Sequence, residues 1–276
     1  MGIRIAAALV AAAAIAAGAS FSSLSARDQE PGQTQPGQPT GVKGAYLGQT
    51  PPGGVPVVFA PGIVSRENSV EGGGSMSPDG TEFYFQAAER TPGATVAEPS
   101  GLARFSARPL AIMVTRLGPD GWTFPEQVAV TAGYSARGPH VSLDNKRLYW
   151  EWLRAVPSDE ADPLNLGTGI WASERTSDGW SAPSYVGQAM GVTTSTQGDL
   201  FASDLSALDK GVERIARVSM ERGKFGRFDR LQGGFDRVLS EKVKNTAHPA
   251  VAPDGSYLLF NSGGPPARVC FRTADG

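Results

Sequence analysis

The chain of 276 residues holds one cysteine, Cys270, so an intrachain disulfide is excluded. It holds two histidines, too little material for a conventional zinc cage built without carboxylates. An excess of charge of either sign is also missing. With 25 basic and 27 acidic residues the net charge is −2, and no basic field draws nucleic acid or an anionic lipid surface. Helical periodicity is nearly absent, with "ALDKGVERIARV" (207–218) the one weak candidate. Apolar runs are scarce: "IAAALVAAAAIAA" (5–17) follows a positive Met1-Gly-Ile-Arg start and ends in small residues at Ala19, with Ala26 as a later cleavage point. That is the anatomy of a secretory signal peptide, and it is shorter than the roughly 20 residues that span a bilayer. The expectation is an exported protein, periplasmic or secreted, with no membrane insertion after cleavage.

What is abundant is turn chemistry. The 35 Gly and 21 Pro exceed the usual shares of about 7% and 5%, which favours short strands joined by turns. The organisation reads as a signal peptide over 1–26, a polar Pro/Gly/Gln-rich spacer over 27–43, and a folded domain over 44–276.

Within that domain two hairpins alternate. "SMSPDGTEFYFQ" (75–86) presets a turn with Pro78 and Asp79, supplies positive φ at Gly80, and continues as a period-two strand. It recurs as "VSLDNKRLYWEW" (141–152), as the shortened "STQGDLFAS" (195–203) and as "AVAPDGSYLLFN" (250–261). Between these lie "IMVTRLGPDGWTFPEQV" (112–128) and "IWASERTSDGWSAPSYV" (170–186), which share Asp-Gly-Trp and a following Pro. A third copy (215–231) has Phe225 in place of Trp, and a fourth begins at "ARVCFRTADG" (267–276). Two hairpins per period give four strands per period, the grammar of a β-propeller blade. The repeated aromatics are then blade-to-blade packing, and Cys270, in a strand-like setting, a buried thiol.

The hairpins "SPDGTEFYF" and "APDGSYLLF", alternating with "DGWTFP" and "DGWSAP", resemble the WD-repeat-like, TolB-type β-propellers of bacterial exported proteins. The stretch "YLGQTPPGGVPVVFAPGIVS" (46–65) resembles the start of an exported branch of unknown function, and the resemblance covers about 46–276. The reading is an all-β propeller of four-stranded blades, about four of them present: three whole blades and three strands of a fourth. The resemblance implies about five blades in the complete form, so an incomplete ring is expected, with "PVVFAPGIVS" (56–65) supplying the outer strand of a closing blade.

Catalytic chemistry is thinly represented. Ser75 in "GGSMSP" does not match a nucleophile elbow, "EGGGS" (71–75) lacks the lysine of a phosphate loop, and Asp204 with Asp209 misses calcium-loop spacing. Asp79 and Asp254 have turn roles that already explain them. No metal or cofactor is implied. What remains is placement: repeat alignment puts 71–74, 136–139 and 246–249 at the entry of the innermost strands, at one mouth of the channel. Glu71, Arg137, His140, Asn245 and His248 are therefore the candidate ligand-binding residues. The function expected is a non-catalytic binding module for a protein, peptide or glycan. The alternative is a hydrolase or lyase acting on carbohydrate, in which His140 or His248 meets carboxylates.

Overall fold

In the computed structural model the described residues are 35–89, 109–154, 167–206, 214–221, 224–231, 246–262 and 268–273. All lie in one compact unit, Thr34–Gly276. The signal-peptide stretch, most of the insertion between Ala87 and Pro109, and Asn245 fall outside them.

Among the described residues the strands form four antiparallel sheets in chain order. The first contains β1 (Ser69–Met76), β2 (Glu82–Glu89), β3 (Ala111–Gly118), β4 (Gly121–Trp122) and β5 (Glu126–Gln127). The second contains β6 (Ser135–Val141), β7 (Arg147–Leu153), β8 (Gly169–Thr176), β9 (Gly179–Trp180) and β10 (Ser184–Gly187). β11 (Ala189–Thr194), β12 (Leu200–Asp204), β13 (Arg214–Glu221) and β14 (Lys224–Arg230) make the third. β15 (Thr246–Val251), β16 (Tyr257–Ser262) and β17 (Arg268–Thr273) make the fourth.

The outermost position of the first two sheets is broken into two short strands, β4 with β5 and β9 with β10. Pro125 and Pro183 lie in the breaks, and proline has no N–H to give a ladder. The third sheet has no proline there, and β14 is continuous. Each of these sheets is thus a four-stranded blade in function, and the fourth shows three strands, matching the count read from the hairpins. The 207–218 candidate helix is corrected: Arg214–Glu221 is a strand, in which Ile215 and Val218 are buried against neighbouring sheets. The rest of that candidate, 207–213, lies outside the described residues.

The first-type hairpins turn as their residues require. Gly80, Asn145, Gly198 and Gly255 all have positive φ, which Gly adopts freely and Asn tolerates best among the rest. Ser77 Oγ donates to Asp79 Oδ1 at 2.6 Å and accepts the Glu82 N–H at 2.9 Å. That serine hydroxyl, with the Thr81 N–H and hydroxyl, holds the Asp79 carboxyl below its usual pKa. Ser142 repeats the arrangement with Asp144 and Arg147.

The core lies between blades. Tyr84, Ile112 and Val114 of the first sheet pack against Ala136, Leu148, Trp150 and Trp152 of the second. Tyr149, Ile170 and Ala172 meet Leu200, Ala202 and Val218 of the third, and Ile215 meets Leu258 and Phe260 of the fourth. A blade buries its faces only by stacking.

The other face of the first sheet is covered by the chain that precedes it. Leu47, Ala60, Ile63 and Val64 pack on Phe85, Ala87 and Trp122. Residues 56–65, expected as an outer strand, form no strand; a single bridge, Pro61 with Ser65, is present, and the segment lies as a cap on that face. Pro56 and Pro61 remove ladder donors, and the Gln49 side chain serves Val58 O and the Ala60 N–H instead. Of the stretch read as a spacer, residues 37–42 run beside β4: the Gly37 and Thr40 N–H groups donate to Phe124 O and Trp122 O, and the Trp122 N–H donates to Val42 O.

Candidate functional site

The first strands of consecutive sheets, β1, β6, β11 and β15, stand beside one another. Each is interrupted by a bulge at the equivalent point, between Gly72 and Gly74, Arg137 and His140, Met190 and Thr193, and Ala247 and Ala250. At each bulge one residue adopts left-handed backbone: Gly73, Gly138, Gly191 and His248, with φ of 48°, 58°, 63° and 52°. A Cβ added to Gly138 would meet Glu151 Oε1 at 3.2 Å, and one on Gly191 would meet His248 Cα at 3.3 Å. Glycine at the first three positions is required twice over, by φ and by close approach. His248 takes the same conformation with a full side chain, and that costs an L-residue about 1–2 kcal/mol.

The bulges also tie the blades together. The Gly138 N–H donates to Gln86 Oε1 at 2.8 Å, the Gly191 N–H to Glu151 Oε1 at 2.8 Å, and the His248 N–H to Ser203 Oγ at 2.9 Å. Each acceptor sits on the second strand of the preceding blade. A second tier lies a few residues on. The Val141 N–H donates to Ser75 Oγ at 3.0 Å and the Val251 N–H to Thr193 Oγ1 at 3.2 Å, while His140 Nε2 and Thr194 Oγ1 share a hydrogen bond of 2.9 Å. A third tier joins turns: Asn145 Nδ2 to Asp79 Oδ2, and Thr196 N–H to Pro253 O.

The residues expected at the channel mouth separate into different roles. The described ones, Glu71, Arg137, His140 and His248, lie in β1, β6 and β15, at or beside the bulges. Glu71 is half-buried and accepts from Ser69 Oγ. Arg137 Nε donates to Glu151 Oε2 at 2.7 Å, with both side chains largely buried. Its charge is met inside the blade. His140 keeps some surface but is closely enclosed, and burial pushes its imidazole pKa down to about 4. Its bond to Thr194 makes it a link between blades. Asn245 lies outside the described residues. His248 is exposed, and it alone of the described candidates combines an accessible imidazole with an unusual backbone.

Gln86, Glu151 and Ser203 were not singled out from the sequence. A signal existed for two of them: Gln86 and Glu151 stand at one offset from the turn residues Gly80 and Asn145, as polar interruptions of apolar strands. Among the described residues no group of three or more His, Cys, Asp or Glu could hold a metal ion, and no helix is long and apolar enough to cross a membrane.

Four sheets in chain order, stacked face to face with their first strands adjacent, define the class: a β-propeller. No protein-family model and no curated protein matches the sequence. Among solved structures, TolB from Acinetobacter baumannii is similar, at 11% identity and a TM-score of 0.45 over 75% of this chain and 42% of that one. A TolB candidate from Agrobacterium tumefaciens is similar at 17% identity and a TM-score of 0.47, over 77% of this chain and 61% of that one. A puromycin-hydrolyzing peptidase from Mycobacterium tuberculosis is similar at 14% identity and a TM-score of 0.43, over 77% of this chain and 38% of that one. The chain thus spans 42% and 61% of the two TolB-type structures.

Proposed function

We propose that this chain is an exported, non-catalytic β-propeller that binds a small molecule, peptide or glycan on its inner strands, with His248 as the contacting side chain. One observation carries the reading. At a bulge where three blades use glycine, the fourth holds an exposed imidazole in left-handed backbone. Strain of this kind persists where the surrounding structure imposes it, and it collects at binding sites. Export rests on the signal-peptide anatomy of residues 1–26.

The hydrolase or lyase reading needs a histidine set against carboxylates. Among the described residues no ion pair involves either histidine, and His140 is bonded to Thr194. Binding fits this chemistry better than catalysis.

With two histidines in the chain, isotope labelling of histidine gives two ring signals, one enclosed and one exposed. Titration with a panel of saccharides and short peptides is expected to move the His248 ring signal saturably and leave the His140 signal in place. A panel in which no compound moves His248 counts against the reading. Turnover abolished by His140→Ala together with His248→Ala would replace it with the enzymatic one.

A further inference from the structure

Arg154 directly follows β7 and has an unusual seat. Its guanidinium carbon lies 4.7 Å from the centre of the Trp171 ring, 5.0 Å from Trp152 and 5.3 Å from Tyr134. The rings hold one another edge to face, Tyr134 on Trp152 at 5.1 Å and Trp152 on Trp171 at 5.4 Å. Trp152 and Trp171 are buried, but Tyr134 is 45% exposed, so the seat opens to solvent. Tyr134 immediately precedes β6 and Arg154 immediately follows the partner of its first residue, since Ser135 pairs with Leu153. The seat is therefore at the entry end of the second blade's inner strand.

The other arginines of that blade are matched by carboxylates. Arg137 pairs with Glu151, Arg147 with Glu174 and Arg175 with Glu82. Arg175 also lies over a ring, Trp180 at 4.3 Å, yet it has its glutamate. Arg154 has aromatic faces and, among the described residues, no carboxylate. Cation–π contacts attract the guanidinium without neutralising its charge, and its five N–H donors outnumber the three rings. A planar fork held by three rings gives up little side-chain entropy on binding a matching anion.

We propose that Arg154, held by Tyr134, Trp152 and Trp171, is an anion receptor for a small carboxylate-bearing ligand. The carboxylate takes two parallel N–H···O bonds from the guanidinium edge, and the body of the ligand stacks on the open face of Tyr134. This site is distinct from His248, on another blade, and does not rest on it.

The two tryptophans make the site report on itself through intrinsic fluorescence. Glucuronate, which carries a carboxylate on a sugar ring, is the probe; glucose and inorganic phosphate are titrated beside it at matched ionic strength. Glucuronate is expected to change the emission saturably with a dissociation constant on the order of 1 mM, fitting one charge-assisted fork and one stacked face. Glucose is expected to do nothing and phosphate to bind more weakly than glucuronate. Arg154→Gln is expected to weaken glucuronate at least about tenfold. Arg154→Lys keeps the charge over the rings and loses the fork, and about fivefold weakening is expected. The tryptophan emission reads this seat and the His248 ring signal reads the other site, so failure of the His248 reading and failure of this one are read separately. No saturable response to glucuronate, an equal response to glucose or phosphate, or full affinity in Arg154→Lys overturns the proposal.

Discussion

The second and fourth blades are built on the same hairpin, yet they settle their backbone at three equivalent points with different residues. At the bulge the second has Gly138 and the fourth His248. Two residues further along, His140 links the second blade to Thr194, while the fourth has Ala250 there. Before the turn, Ser142 bonds both Asp144 and the Arg147 N–H, and the fourth has Ala252. The second blade is thus tied by side chains at every tier. The fourth keeps the backbone path and is held by Ser203 and Thr193 of the third blade, but its own residues at the two later points are alanines, while at the bulge it adds a group that the other blades lack. That sets His248 apart: it carries a full, exposed side chain in left-handed backbone where the other three blades have glycine.

The comparison breaks most severely at Glu151. Its carboxylate receives Arg137 Nε and the Gly191 N–H, with side-chain exposure of 7%. Glu151→Ala strands a buried guanidinium and a buried amide together, and a loss of about 3–5 kcal/mol in urea unfolding is expected. Glu151→Gln keeps an acceptor for the Gly191 N–H and is expected to recover part of that loss.

Next comes pH. The His140 pKa is about 4 in the fold against 6.5 when free, so the unfolded chain binds its proton first as pH falls. Stability from this group is full above pH 6.5 and is lost between 6.5 and about 4. With the imidazole partly screened by solvent, the loss expected is on the order of 2 kcal/mol. His140→Gln keeps a partner for Thr194 and is expected to flatten the unfolding profile across that window; an unchanged slope contradicts the assignment. Gly138→Ala puts a Cβ at φ 58° and against Glu151, and a loss of about 1–2 kcal/mol is expected. A gain is expected from Ala252→Ser, which gives the fourth blade what Ser77 and Ser142 provide, worth about 1 kcal/mol.

The architecture was legible because it is written in turn residues. Asp-Gly and Pro-Asp-Gly fix hairpins locally, and their alternation fixes the blade. The 207–218 stretch misled because Ile215 and Val218 fit a helical face as readily as a buried strand, and only the neighbouring sheets decide between them. The cap over 56–65 escaped for a related reason: an apolar run with two prolines reads as a strand until the ladder donors are counted. The site was legible as residues and not as geometry. Glu151 stood out as a charge between Trp150 and Trp152, but its two donors come from Arg137 on the facing strand and Gly191 in the next blade. The seat of Arg154 joins residues from three parts of the chain, and nothing local marks it. His248 carries no helpful local mark either, since a residue before proline is expected extended, with negative φ. It becomes visible only when placed over Gly73, Gly138 and Gly191.

The central claim is that His248 holds a conformation meant for glycine and is kept there for its side chain. The most direct test is urea unfolding of His248→Gly beside the parent protein, at a pH where the imidazole is neutral. Relief of left-handed strain, offset in part by the added freedom of glycine in the unfolded chain, is predicted to raise stability by about 0.5–1 kcal/mol. Stability equal to or below that of the parent would contradict the account, because the imidazole would then be supporting the fold.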